Sequence, residues 1–219
     1  MKKILSVLLV VGMLVLSGCQ TKDDTVTLYV TRHGETELNK AKKIQGWIDS
    51  PLTETGIQQA KDLSKRLENI EFSNVYSSPS QRAIDTAKNI LPNADIKQDE
   101  RLKEMNFGSL EGQDSSRTFE KGIDYAFEEG WKDYGGEDFY ILGERAMKAL
   151  DEIVKDESNK GKNVLISTHG MTILSLIYEI DPSVGDTIEG SIENCSITKI
   201  TYKDGKYKIE LVNDLKSKL

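Results

Sequence analysis

Along most of the chain, short apolar, β-branched runs alternate with longer stretches of helical period, the pattern of an α/β domain with a largely parallel sheet. The strand-like runs are Val26 to Thr31, Asn74 to Tyr76, Ala94 to Lys97 and Asn163 to Ser167, followed by Ser196 to Tyr202 and Tyr207 to Val212. Asp204-Gly205 between the last two suits a tight hairpin turn. Among the helical stretches, Ile57, Ala60, Leu63 and Leu67 fall three or four residues apart, as do Ala83, Ala87 and Ile90, with Ile84 and Leu91 widening that stripe. Further helices are expected around Ala146, Leu150, Ile153 and Val154, and from Met171 to Ile180. The expected fold is a three-layer α/β sandwich, a mostly parallel central sheet with helices on both faces. Residues from about Gly108 to Gly136, rich in Glu, Gly and aromatics, break the pattern. They are expected to form a small helical or irregular cap inserted over one edge of the sheet.

The N-terminus reads differently. Met1-Lys2-Lys3 is a short basic leader to an apolar run from Ile4 to Leu16, which falls short of the roughly 20 residues a spanning helix needs and fits a secretory signal. Leu16-Ser17-Gly18-Cys19 follows directly and resembles the lipobox of bacterial lipoproteins, in which the cysteine is acylated and becomes the mature N-terminus. An ordinary signal peptide with an incidental cysteine is the alternative. The lipobox reading divides the chain into a signal peptide over 1–18, a lipidated Cys19 with a polar tether over 19–24, and one folded catalytic domain over 25–219. It implies export and a lipid anchor at the cell membrane, on its extracytoplasmic face.

With 36 acidic and 29 basic residues the formal charge is −7, which excludes a nucleic-acid binder held by a broad basic surface. Such a body is not drawn to anionic lipid either, so membrane attachment rests on the acyl chains. The second of two cysteines, Cys195, starts an apolar stretch and reads as a buried small hydrophobe rather than a reactive thiol.

The chain has two histidines, and each follows a β-branched run and precedes a glycine: Val30-Thr31-Arg32-His33-Gly34 and Ile166-Ser167-Thr168-His169-Gly170. Both are therefore expected at strand C-termini, the edge of an open parallel sheet where ligands bind, so one cleft can receive both. Glycine after each removes a Cβ that would crowd an approaching ligand. A single histidine is more often structural, and zinc is another use. The shared strand-end context favours catalysis, since a zinc site calls for a third ligand and no H-x-x-x-H or C-x-x-C spacing is present.

Arg32-His33-Gly34-Glu35-Thr36 resembles the signature of the histidine phosphatase superfamily, in its phosphoglycerate-mutase-like branch. The resemblance continues through Asn39, Gln45-Gly46-Trp47 and Asp49-Ser50-Pro51-Leu52-Thr53 with Gly56. Ser77 to Ala83 with Thr86-Ala87 is similar to the family's second arginine motif, and Glu104, Phe107-Gly108 and Glu111-Gly112 to its acid-bearing loop. Gly135-Gly136-Glu137 and Thr168-His169-Gly170 complete the order.

A transferring phosphoryl group carries negative charge on three oxygens, so its site must hold positive charge and donors in place beforehand. Arg32 and Arg82 are the candidates, because the guanidinium fork matches phosphate oxygens and stays charged. The resemblance implies that His33 attacks phosphorus through a neutral ring nitrogen, its other nitrogen fixed by an acceptor such as a backbone carbonyl. It implies that His169 binds the phosphate without being the nucleophile, and that Glu104 protonates the leaving oxygen and then activates water. Asn39, Gln45 and Gly46 join the substrate-binding set, and Glu35 orients the loop. Arg101, Arg117 and Arg145 read as surface residues or structural ion pairs. No metal or cofactor is expected, because the arginines and His169 supply the charge that a cation would bring.

Hydrolase and mutase share such a site and differ in what meets the phosphohistidine. In the segment Gln113 to Asp138 the acidic residues outnumber the cations Arg117, Lys121 and Lys132, a poor receiver for a phosphorylated acid. This favours a phosphomonoesterase acting on a small phosphorylated substrate. The aromatics Phe119, Tyr125, Phe127, Trp131 and Tyr134 suit an apolar or cationic leaving group or simply pack the lid. A lipoprotein that binds a phosphorylated ligand without turnover is the remaining alternative.

Overall fold

The computed structural model describes residues 23–116, 129–217 and 219. The leader, Cys19 and most of the tether lie outside the described residues, as do Arg117, Phe119, Lys121, Tyr125 and Phe127 of the expected cap. Among the described residues six strands form one sheet: β1 (Val26–Arg32), β2 (Phe72–Ser77), β3 (Ile96–Gln98), β4 (Asn163–Thr168), β5 (Ile197–Lys203) and β6 (Lys206–Asp214). Their order is β3-β2-β4-β1-β5-β6, with the first four parallel, β5 antiparallel to β1, and β6 antiparallel to β5 at the outer edge. Every strand lies where an apolar run predicts it. Strand β3 starts at Ile96 rather than Ala94, because the Ala94 N–H is engaged by the Leu91 carbonyl in the turn before it. At the β5–β6 turn Asp204 and Gly205 both take positive φ, as a two-residue hairpin requires.

The helices are α1 (Glu37–Lys40), α2 (Glu54–Arg66), α3 (Gln81–Ile90), α4 (Phe139–Lys155), α5 (Gly170–Ile180) and α6 (Pro182–Gly185). Helices α1 and α6 escape a periodicity reading because each is a single turn, α6 being set by the Asp181 cap and a proline at its first position. Side chains alternate across the strands. Leu28, Val30, Val164 and Ile166 face α4 and α5, packing with Leu150, Ile153, Ile173 and Leu176. Tyr29 and Leu165 face the other way, onto Ala60 and Leu63 of α2 and Ala87 and Ile90 of α3. These are the three expected layers.

Two consequences position the site. The helix after β1 and the helix after β4 lie on opposite faces, which opens a crevice at the carboxyl ends of these neighbouring strands. Of the described parts of the cap, Ser115 and Trp131 stand with Arg32 and His33 around one cavity at these strand ends. Phe107, Leu110 and Trp131 form a separate apolar cluster with Ile44, Met105, Phe139 and Leu142, and Met171 and Leu174 of α5 pack against it.

Ile166 lies in the central strand with no exposure. Ile166→Ala should therefore cost about 2–5 kcal/mol of unfolding free energy. Chemical denaturation measures this, and a loss well under about 1 kcal/mol would contradict the packing described.

Candidate active site

The parallel register of β1 and β4 sets Arg32 opposite Thr168, and the His33 N–H extends the ladder by donating to the Thr168 carbonyl at 2.9 Å. The next residue on each strand is a histidine, so the two rings meet with centroids 5.3 Å apart and planes 65° from parallel. Both are almost entirely buried.

His33 Nδ1 lies 2.8 Å from the Gly34 carbonyl oxygen. A carbonyl only accepts, so Nδ1 carries the proton and Nε2 keeps its lone pair. Burial first, then the charges of Arg82 and Arg32, hold the ring well below its ordinary value of 6.5, against the opposing pull of the Gly34 hydrogen bond. The ring is neutral near pH 7. His169 is lowered in the same direction by burial, Arg82 and His33 in turn. Its Nδ1 lies 3.1 Å from Arg82 Nη2, which can only donate, and its Nε2 lies 2.7 Å from Ser78 Oγ. Both nitrogens are thus engaged by protein groups, and His169 stands behind Arg82 rather than on the cavity wall.

A cavity of about 510 Å³ opens over these strand ends. Of the residues expected from sequence, Arg32, His33, Asn39, Gln45, Gly46, Arg82 and Glu104 line it. Arg82, in the first turn of α3, donates from Nη2 to the Gly46 carbonyl at 2.7 Å, and from Nη1 to the Ile48 carbonyl at 3.0 Å and Asp49 Oδ1 at 3.1 Å. Arg32 donates from Nη1 to the Ile192 carbonyl. Burial lowers the proton affinity of both guanidinium groups and Glu104 offsets part of this. Starting from so basic a value, both remain cations.

The buried side-chain polar atoms without a partner among the described residues are Arg32 Nε, Arg82 Nε, Gln45 Nε2 and Ser196 Oγ. The first three are donors on residues of the cavity wall. Buried donors are rarely left unpaired, and three on one wall mark a place for an anion. Gln45 shows how such a donor is made: its Oε1 accepts from Thr36 Oγ1 at 3.0 Å and faces Asn39 Nδ2 at 3.5 Å, which leaves the amide nitrogen over. Asn39 is otherwise engaged in a reciprocal cap with Thr36 at the start of α1.

Glu104 reaches the cavity from the loop after β3. Its Oε1 accepts from the Met105 and Thr172 N–H groups at 3.0 and 3.2 Å, and its Oε2 from Met171 N–H at 3.3 Å. It thereby caps α5, whose own N-terminal residue, His169, makes no side-chain cap. Asp49 does the same for α3, accepting from the Gln81 N–H where Ser80 provides no cap. The starts of α3, which carries Arg82, and of α5 are thus each completed by a carboxylate from elsewhere in the chain.

Several supporting roles escaped the sequence reading. Glu111 accepts from the Trp47 and Ile48 N–H groups at 2.9 and 3.0 Å, shaping the loop whose carbonyls hold Arg82. Gly46 there has φ +56°, and a Cβ would lie 2.2 Å from Glu111 Oε1. Residues 190–194 form a further wall, with Asn194 Nδ2 donating to the His33 carbonyl at 2.7 Å. Their place was legible only through topology: β5 is antiparallel to β1, so the residues entering β5 lie where β1 ends. The role expected of the two glycines changes. A Cβ on Gly34 would lie 2.5 Å from the Gly56 carbonyl, so close packing on α2 demands it, whereas a Cβ on Gly170 would make an ordinary contact with Arg32. Glu35 does orient its loop, accepting from Thr53 Oγ1 at 2.7 Å. Cys195 is buried, and burial pushes its thiol up to about 12.

A neutral histidine of fixed tautomer, flanked by buried guanidinium groups at a sheet switch point, defines an anion-handling α/β protein. Residues 28–215 match the Histidine phosphatase superfamily (branch 1), and the chain belongs to that superfamily, in its phosphoglycerate-mutase-like branch. It is 32% identical over 206 residues to the metal-independent phosphoserine phosphatase of Arabidopsis thaliana, covering 90% of this chain and 84% of the relative. It is also 32% identical over 193 residues to a probable phosphoglycerate mutase of Salmonella paratyphi A, covering 82% and 86%. The crystal structure of phosphoglycerate mutase from Bacillus anthracis superposes with a TM-score of 0.79 at 35% identity, over 89% of this chain and 95% of that one.

The buried histidines give a pH test. The unfolded chain takes up protons on both rings below about 6.5 and the folded chain does not, so their contribution to stability is complete above that value and is lost as pH falls below it. The slope is at most about 1.4 kcal/mol per pH unit for each ring. Urea unfolding of wild type and His33→Gln between pH 7.5 and 5 should show the variant losing less stability on acidification. Parallel curves would contradict a neutral, buried His33.

Proposed function

We propose that the chain is a phosphomonoesterase acting through a phosphohistidine on His33. The observation that carries this is the free Nε2 lone pair of a neutral His33, fixed by the Gly34 carbonyl between Arg32 and Arg82. Nε2 attacks phosphorus, the bond from phosphorus to the ester oxygen breaks, and Glu104 gives that oxygen its proton. Glu104 then takes a proton from water as the water oxygen attacks phosphorus and the phosphorus–nitrogen bond breaks, which returns His33 to its starting state. Arg32 Nε, Arg82 Nε and Gln45 Nε2 are the donors available to the phosphoryl oxygens. His169, held by Ser78, supports the fork of Arg82 from behind. The relatives include a phosphoserine phosphatase, and this supports hydrolysis of a small phosphorylated substrate.

Mutase-type transfer has one observation in its favour. Lys42 and Lys43 line the outer cavity, two cations that lie outside the cap segment whose acidic balance argued against a second anion. We further propose, from the Leu16 to Cys19 pattern, that the domain is exported and lipid-anchored through Cys19.

Rapid quenching with a labelled aryl phosphate should trap alkali-stable, acid-labile phosphate on the protein, and His33→Ala should lose it together with roughly 10³-fold or more of kcat. Chasing the trapped species with buffer alone should release inorganic phosphate. Release that required 3-phosphoglycerate would favour the mutase, and normal turnover in His33→Ala would overturn the nucleophile.

A further inference from the structure

Besides the surface pair of Arg101 with Glu152, one side chain of α4 gathers the backbone of the acid-bearing loop. Arg145 donates from Nη1 to the carbonyls of Arg101 at 2.8 Å and Lys103 at 2.6 Å, and from Nη2 to the carbonyl of Glu104 itself at 2.8 Å. The same guanidinium pairs with Glu137 through Nη2 at 2.6 Å and Nε at 3.2 Å, and both partners are largely buried. Glu137 closes the loop from the other side: its Oε1 accepts from the Asn106 N–H at 2.9 Å and its own N–H donates to the Asn106 carbonyl at 2.9 Å. Glu104 is thus bracketed, with its preceding residues held by Arg145 and its following ones by Glu137. A third tie comes from Trp47, whose Nε1 donates to the Glu104 carbonyl at 2.8 Å.

We propose that Arg145, braced by Glu137, is the positioning residue for Glu104, and sets the reach of its carboxyl to the leaving oxygen. This rests on Glu104 being the proton donor. Arg145 does not line the cavity, so it touches no substrate; its charge reaches His169, a contribution that Arg145→Lys keeps, and its hydrogen bonds go to the loop and to Glu137. Proton transfer needs the carboxyl within hydrogen-bond reach of the ester oxygen, and a displacement of about 1 Å costs on the order of 10²-fold. The cost falls selectively. An alkyl phosphate leaves as a strongly basic alkoxide and needs the proton, whereas 2,4-dinitrophenyl phosphate leaves as a stable anion and does not. A strap that merely supported the fold would affect both substrates alike.

The test measures kcat/KM, which covers transfer to His33 and loss of the leaving group but not the hydrolysis step that both substrates share, for phosphoserine and for 2,4-dinitrophenyl phosphate with wild type, Arg145→Lys, Glu137→Gln and Glu104→Gln, alongside thermal unfolding. Arg145→Lys keeps the charge but cannot hold three carbonyls and a carboxylate in one plane. It should lose at least about 10-fold on phosphoserine and no more than about 2-fold on the aryl ester. Glu104→Gln should show the same selectivity more strongly. If Arg145→Lys does not fold, Glu137→Gln, which removes the brace and keeps the guanidinium, carries the same comparison. Equal losses on both substrates, or none, in the folded strap variant while Glu104→Gln remains selective overturn the positioning role and leave the proton donor standing. An unselective Glu104→Gln removes the proton donor itself, and the inference with it.

Discussion

The pairing of Arg32 with Thr168 across β1 and β4 is the constraint from which the site follows. Because the strands are parallel and in this register, the residues after them leave the sheet side by side, and both are histidines. Because the helices after them go to opposite faces, no backbone fills the space above. A slip of one residue in that pairing would exchange the Leu28, Val30, Val164 and Ile166 face for the Tyr29 and Leu165 face in one strand. The hydrophobic core of both layers therefore enforces the alignment on which the chemistry depends.

Around that alignment, charge is arranged without being neutralised. Arg82 is buried completely and would be costly there alone, so it is surrounded by the carbonyls of Gly46 and Ile48, by Asp49 and by His169 Nδ1. This arrangement keeps His33 unprotonated while presenting a positive field to the cavity, which no exposed histidine could combine. The carboxylates serve two purposes at once. Glu104 and Asp49 complete the first turns of α5 and α3, a contribution to helix stability of about 0.5–2 kcal/mol each, and in the same positions Glu104 lines the cavity while Asp49 pairs with Arg82.

The sequence made the fold and the central residues legible because each depends on local signals. Strands show as β-branched runs, α2 to α5 as stripes of three and four, and the histidines stand out as the two in the chain, in matching contexts. What remained hidden is non-local. The caps of α3 and α5 come from Asp49 and Glu104, far from those helices in the chain, so Ser80 and His169 gave no hint of how their helices begin. Residues 190–194 carry no motif and join the site through the antiparallel pairing of β5. Arg145 read as a structural ion pair, and it is one, but its partner Glu137 and the three carbonyls it gathers belong to the loop of Glu104. Composition marked the cap but not its contacts: that Phe107 and Trp131 share a cluster against which Met171 and Leu174 of α5 pack is non-local.

With two histidines in the chain, nitrogen-15 labelling of histidine gives a spectrum of two rings, assignable with His33→Gln. At pH 7 the account predicts a neutral His33 with the proton on Nδ1 and a bare Nε2, unchanged as the pH is lowered past 6.5. A protonated ring at pH 7, or a neutral one with its proton on Nε2, would contradict it.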